Sequence, residues 1–410
     1  MKLHNQPPLH LTYCLNVHPG ETWEDNLAAI RDHAMAVKSR VAPDVPFGLG
    51  LRLARRAVET LSQPDTMSEF RDFMKANDLY AFTINGFPYG DFHSGVIKTA
   101  VYRPDWATRD RLNYTLELGA LLTGLLPEGL DGSISTVPLG YRTDGPSPRL
   151  REMCVHLAEC AAGLHRLHAS TGREIHLGLE PEPDCLLETT DDVIRFFEGP
   201  LAEHALPHLT ERLTCTRQGA EAILRRHIGV CVDTCHLAIQ FETPADSLTR
   251  LTRHGIRVSK VQLSSALEAI PTAEARQRLT EFVDPIYLHQ VKELTIGNAT
   301  GFTTGLAAYT DLDDALAAPP DDADGRRLWR IHFHVPLYFE NDGILHSTAK
   351  TMDDRFWNHL AAGPVAHLEI ETYTFPVLPP HLRAEGIDAS VVKEYEWVLQ
   401  RLTARHSPRG

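Results

Sequence analysis

Several carboxylates and imidazoles in this chain stand where an apolar run ends. The stretch GVCVDTCHLAI, residues 229–239, closes a run of small apolar residues with Asp233 and, three positions on, His236. LGLEPEP (177–183) ends on Glu180 and Glu182, HLEIETYT (367–374) carries Glu369 and Glu371, and IHFHVP (331–336) carries His332 and His334. A buried charge is costly unless it is paired or bound to a metal. Asp233 and His236 therefore belong either to a salt bridge in a core or to a ligand site. If Glu180, Asp233 and Glu371 converge in a low-dielectric mouth they repel one another, and protonation or a divalent cation must relieve that. Imidazoles beside them favour Mn, Zn, Co or Fe over calcium, while the carboxylate share keeps Mg in play. The chain has 22 histidines, an excess that makes a site built from imidazoles worth seeking.

The elements that must position these residues alternate along the chain. Short apolar runs at 11–18, 46–53, 79–90, 132–141, 173–184, 227–236, 256–265, 329–339 and 366–375 are separated by stretches with helical spacing. The first of those helices opens with Thr22 as its N-cap. Repeated β-then-α units imply a mostly parallel sheet covered by helices, either open and doubly wound or closed. The turn after the first run, NVHPGETW, lacks the glycine fingerprint of the open dinucleotide-binding version, and no phosphate loop of the Walker type occurs. Nine candidate strands for eight places suggest a closed (β/α)8 barrel with one extra strand or hairpin. The expected insertion is at about 268–327, before the last barrel strand, where DPIYLHQVKELTIGNATGFTTG looks like a hairpin. No composition break marks a boundary, so residues 1–410 read as one barrel domain. Side chains alternate across a strand. This puts Leu177 and Leu179 opposite Glu180 and Glu182, Val261 and Leu263 opposite Lys260 and Gln262, and Leu368 and Ile370 opposite Glu369 and Glu371. Asn16 and His18 end the first strand on its polar face. The polar residues gather at the C-terminal strand ends, where barrel enzymes carry their active sites.

Composition narrows the function. The formal charge is −14, from 40 Lys plus Arg against 54 Asp plus Glu, a field that disfavours a general nucleic-acid binder. The start, MKLHNQPPLHLTYC, shows no apolar leader, and nowhere do 18 apolar residues run together, so a cytoplasmic protein without a membrane span is expected. Seven scattered cysteines without a C-x-x-C pair indicate neither a zinc ribbon nor a disulfide framework.

The motif GVCVDTCHLAI resembles the sixth strand of the xylose isomerase-like TIM barrels, which include sugar isomerases, epimerases and metal-dependent AP endonucleases. LGLEPEP and HLEIETYT fit the same superfamily. Across about residues 10–400, NVHPGETW, PFGLGLRL, FTINGFPYG, GSISTVPLG, LEPEPDCLLETTDD, KVQLSSAL, YLHQ, HFHVPL and HLEIETYT together resemble the Ebo-cluster metabolite traffic proteins (EboE). The resemblance implies a metal held by Glu180, Asp233 and Glu371, with His236 the neighbouring imidazole. Where the superfamily's seventh strand usually gives His, this chain gives Gln262. The remaining ligand is therefore expected from His334, His289 or Gln262 itself.

The resemblance further implies a sugar (phosphate) isomerase or epimerase acting on a small hydroxy-carbonyl metabolite. The metal, one of Mn, Zn, Co or Mg, would hold a carbonyl and an adjacent hydroxyl and stabilise an enediolate. Glu180 and Glu371 would exchange the proton from opposite sides of the carbon, His236 would orient the substrate oxygen, and Lys260 would stabilise negative charge. Lys260 in a surface salt bridge is the competing reading. His18, Tyr89, His93, Glu182 and His289 are the expected substrate contacts, Tyr89 and His93 as a flap over the mouth. Glu369, deeper on its strand, should pair with an inward basic residue or histidine. The alternative function is a non-catalytic metabolite-binding or traffic component. An AP-site nuclease is disfavoured by the acidic charge and by Gln262. Expected partners are a small metabolite, other Ebo-cluster proteins and a second copy of the chain, but not nucleic acid.

Overall fold

The computed structural model describes residues 1–5, 7–93, 95–142, 149–296, 303–319, 327–363 and 365–403. Eight parallel strands form the centre: β1 (Pro8–Tyr13), β2 (Phe47–Arg52), β3 (Leu79–Asn85), β4 (Gly132–Thr136), β5 (Ile175–Leu179), β6 (Ile228–Asp233), β7 (Val258–Leu263) and β8 (His367–Ile370). They lie in the order β1-β8-β7-β6-β5-β4-β3-β2. A parallel bridge between Cys14 and Gly50 closes the ring at the C-terminal end of the strands. Below it, the antiparallel strand Lys2–Asn5 pairs with β1. A Cβ added at Gly50 would stand 2.6 Å from the Tyr13 carbonyl oxygen, so glycine is what allows β1 and β2 to meet. The result is the (β/α)8 barrel that the alternation of elements implies.

Parallel strands covered on both faces are buried along their whole length. All six residues of β2, β6 and β7 are. Val230, Val232, Val261, Leu263, Leu368 and Ile370 join the apolar core between strands and helices. The inward residues stack in layers, as in other closed barrels. Lowest, His176 and His367 flank Asp131 at 3.1 and 3.4 Å, their rings stacked at 5.6 Å. Above them, Lys260 and Glu369 form an ion pair with no exposure. The ends of β5, β6 and β8 bring Glu180, Asp233 and Glu371 to the top.

Local signals set the helix ends. Thr22 caps Trp23–Ala29 in a reciprocal capping box with Asp25. Gly172, at φ 71°, ends the long helix Leu150–Thr171 in the left-handed conformation. No helix among the described residues is long and apolar enough to cross a membrane. All seven cysteines are free thiols.

Two features differ from the sequence reading. The first strand lies earlier than 11–18, and the chain then makes a 3-10 turn, Leu15–Val17, so Asn16 and His18 project from a loop and not from a strand face. The run at 329–339 is not a barrel strand. Its strand, Arg327–Ile331, belongs to a five-stranded antiparallel sheet between β7 and β8 with Leu267–Ala269, Val291–Ile296, Thr303–Tyr309 and His346–Ser347. The expected hairpin is part of it, Val291–Ile296 pairing with Thr303–Tyr309, while its turn, 297–302, lies outside the described residues. His332 and His334 follow the strand Arg327–Ile331 and thus come from the inserted segment.

Candidate functional site

Asp233 is both the last residue of β6 and the N-cap of the helix Thr234–Ile239. Its Oδ1 accepts the backbone N–H groups of Cys235 (2.7 Å) and His236 (3.1 Å) and the Ser264 hydroxyl (2.6 Å). Its Oδ2 is buried and has no partner. An aspartate that only capped a helix would need neither burial nor the remaining charge. Glu180 follows β5, anchored by its N–H to the Thr136 carbonyl at 3.0 Å, and its Oε2 is likewise buried and unpartnered. Glu371 follows β8. Its Oε1 accepts the side-chain amides of Asn16 (2.8 Å) and Asn85 (2.9 Å). One ligand atom from each of Glu180, Asp233 and Glu371 lies within 4.8 Å of the others.

Histidines complete the cluster. His334 donates Nδ1–H to the Glu371 carbonyl at 2.9 Å, so Nε2 keeps its lone pair, buried and without a partner. Asp233, His236 and His334 form a second grouping of ligand atoms within 4.8 Å. Beside it stand His236, His332 and Glu182. His236 donates Nδ1–H to the Pro181 carbonyl (3.0 Å), and His332 donates Nδ1–H to Gln290 Oε1 (2.7 Å). Gln290 is held that way round because its amide nitrogen faces the Pro183 carbonyl at 3.1 Å. Both imidazoles therefore turn Nε2 lone pairs toward each other at 3.1 Å, a contact that only a shared proton or another cation makes favourable.

The electrostatics agree with a site built for positive charge. Burial, then the charge of Asp233, pushes the Glu180 carboxyl well above the usual range, with Lys260 opposing. Burial and the neighbouring Glu180 and Asp233 do the same to Glu371. Burial raises Glu182 to about 8, although the Tyr102 hydroxyl, donating at 2.8 Å, favours its charged form. For Asp233 burial is outweighed by His236, His334 and Ser264, and its carboxyl is held low. Burial lowers His334 to about 4. Protons on the two glutamates are one way to relieve the cluster; a divalent cation in one of the two groupings that share Asp233, with Glu180 and Glu371 or with His236 and His334, is the other. Carboxylate oxygens and imidazole nitrogens in these buried groupings fit such an ion.

The remaining expected residues fall in different places. Gln262 accepts the Cys231 thiol on its amide oxygen at 3.0 Å, whereas His334 keeps an unpartnered Nε2 and groups with Asp233 and His236. His289 is spent on the His332 carbonyl (2.8 Å) and on Asp284 and has no nitrogen left for a metal or a substrate. Lys260 is neither a surface salt bridge nor a residue of the mouth, because its ammonium is buried against Glu369 in the layer below. His18 bonds the Tyr13 hydroxyl at 3.0 Å and stacks on His33 at 4.3 Å, away from the mouth. Tyr89 packs against Tyr114 as a loop anchor. His93 uses both nitrogens, on the Asn16 carbonyl (2.6 Å) and the Tyr287 hydroxyl (2.9 Å), and braces the loop instead of meeting substrate. Glu182 does line the mouth, with Glu180, Glu371 and His236. Sequence reasoning passed over Asn16, Asn85 and His332 as site residues. Asn85 ends β3, where strand period could have marked it, whereas Asn16 lies in the turn Leu15–Val17 and His332 follows the inserted strand Arg327–Ile331.

No family model and no curated protein matches this chain. Solved structures do resemble it. An IOLI protein with a bound zinc atom superposes with a TM-score of 0.48 at 9% identity, covering 98% of this chain and 100% of that one. A xylose isomerase domain protein from Alicyclobacillus acidocaldarius subsp. acidocaldarius gives 0.47 at 11%, covering 97% and 99%. A D-tagatose 3-epimerase-like protein gives 0.46 at 11%, covering 97% and 100%. These neighbours are xylose isomerase-like barrels, and the likeness is a distant one of fold.

Proposed function

We propose that this chain is a metal-dependent isomerase or epimerase of a small hydroxy-carbonyl metabolite. The observation that carries the reading is the buried set of Glu180, Asp233 and Glu371, with unpartnered oxygens on Glu180 and Asp233, and the unpartnered Nε2 of His334, which groups with Asp233. Glu180, Asp233 and Glu371 would hold a divalent ion there, with His334 grouped at Asp233, and the ion would supply Lewis acidity toward a carbonyl or hydroxyl oxygen. Glu180 and Glu371 extend from β5 and β8, with β6 and β7 between them, so the two carboxyl groups reach the mouth from different sides. One takes the proton from a carbon beside the carbonyl, and the other returns it. The Asn16 and Asn85 amides hold Glu371 in place, and of the ion pair beneath, Lys260 favours the charged form of Glu180 while Glu369 opposes it. His236, anchored on the Pro181 carbonyl, orients a substrate oxygen.

The test is solvent isotope exchange. Manganese-loaded protein in heavy water should place deuterium on the carbon between the two glutamates in at least one ketose, hydroxyketone or cell-extract metabolite. Binding of several compounds with label in none would instead make this a metabolite-binding component, working beside other Ebo-cluster proteins.

A further inference from the structure

The mouth of the barrel has two unlike halves. Its floor is polar, with Glu180, Glu182, Glu371, His236 and His332. The rest of its lining includes an apolar wall of Phe87, Pro88, Phe92, Ile97, Val101 and Leu288, and the cavity, open to solvent, offers about 50 Å³ to the centres of water-sized groups. The wall is built, not incidental. Phe92 meets the rings of Tyr287 and Tyr373 at 5.4 Å each, and those two meet at 5.1 Å. The Phe92 N–H is held by Glu21 Oε1 at 2.7 Å, and the adjacent His93 is tied to Asn16 and Tyr287. A substrate that was polar all round would leave this apolar surface facing its hydroxyl groups, which would lose water without gaining partners.

Charge points the same way. Among the described residues, Lys98 is the one lysine or arginine on the cavity lining, and its ammonium is already engaged by Asp311 at 2.6 Å and by the Asp284 carbonyl at 3.2 Å. The nearby Arg52 is committed to Glu21 and to the Gly20 carbonyl. Apart from the ion proposed above, a phosphate would meet three glutamates and no uncommitted lysine or arginine of the lining.

We propose that the substrate pairs its hydroxy-carbonyl head with an apolar, ring-sized group and carries no phosphate; the head, though not the apolar group, rests on the isomerase reading above. The head lies on the carboxylate floor, and the apolar group lies against Phe92, Val101 and Leu288.

Calorimetry on full-length, manganese-loaded protein tests this with matched probes. 1-Hydroxy-1-phenylpropan-2-one should bind about tenfold or more tighter than hydroxyacetone, which has the same head without the ring. Dihydroxyacetone phosphate should bind no tighter than dihydroxyacetone. Val101→Asp, at a half-buried wall position, should weaken binding of the phenyl compound far more than binding of hydroxyacetone and so collapse the ratio between them. Val101→Asn is the milder second variant if the first does not fold. Equal affinity for the two hydroxyketones, binding of neither, or tighter binding of the phosphate overturns the proposal. Deuterium incorporation read in the same samples separates the two readings. A phenyl preference without label keeps the apolar group and sinks the isomerase, and label without a preference does the reverse.

Discussion

His334 donates its Nδ1–H to the backbone carbonyl of Glu371 at 2.9 Å, tying the inserted segment to the end of β8. That bond fixes the tautomer, and the lone pair left on Nε2 is buried with no partner. A divalent ion bound only by the folded state should raise the melting temperature. At a hundredfold excess over its Kd it adds about 2.7 kcal/mol. Asp233→Asn keeps the capping oxygen while neutralising the carboxylate, and His334→Ala removes the nitrogen. Both should stay folded by circular dichroism and lose most of the rise given by Mn or Zn. An undiminished rise in both variants would mean the ion binds elsewhere.

Proton transfer between paired carboxylates predicts matched losses. Glu180→Gln and Glu371→Gln should each slow solvent deuterium incorporation by about 10²–10⁴-fold at saturating manganese. Gln at 371 retains an oxygen for the Asn16 and Asn85 amides, so its loss would reflect proton transfer and charge, not collapse of that contact. Wash-in at wild-type rate in either variant removes that residue from the chemistry.

The buried Lys260–Glu369 pair predicts a strong asymmetry between single and double variants. Lys260→Met strands a carboxylate that has no exposure, at a cost of about 3–5 kcal/mol. Adding Glu369→Gln to it should recover more than half of that loss in urea melts. Additive losses would show that packing, and not charge, is what the pair provides.

Glu394 gives the chain a pH dependence away from the site. Burial raises its carboxyl to about 7, although the Thr372 hydroxyl (2.7 Å) and the Leu337 N–H (3.0 Å) favour the charged form. A carboxyl whose folded pKa lies above its ordinary 4.5 contributes stability that is complete below pH 4.5 and lost as the pH rises through about 7. The loss is at most about 3 kcal/mol across that window. Glu394→Gln offers one oxygen to both donors without the charge, so it should melt above wild type at pH 8 and level with it at pH 5. A variant no more stable at pH 8 contradicts the raised carboxyl.

The sequence by itself determined the barrel and the rank of its polar residues. Alternating apolar runs and helical stretches name nine candidate strands, eight of which form the parallel barrel, because each strand must be covered on both faces and each helix on one; the ninth, 329–339, falls in the inserted sheet. Period-two parity then puts Glu180, Asp233 and Glu371 at the strand ends that face inward, since a one-residue slip would bury the wrong face. Parity also put Lys260 and Glu369 on the inward face, and Lys260 is the partner that Glu369 meets. What parity leaves undecided is everything that comes from loops and from the inserted sheet. His334 and His289 both follow or flank inserted strands, and only the fold decides that one has a free nitrogen while the other is spent on Asp284 and a carbonyl. His18 looked like a mouth residue until the chain turned at Leu15–Val17 and laid its ring on His33. Gln262 is aimed by a single contact with Cys231 from the neighbouring strand. Strand period is a property of the local backbone. Which lone pair remains free depends on hydrogen bonds between residues tens or hundreds of positions apart, and those exist only once the barrel has closed.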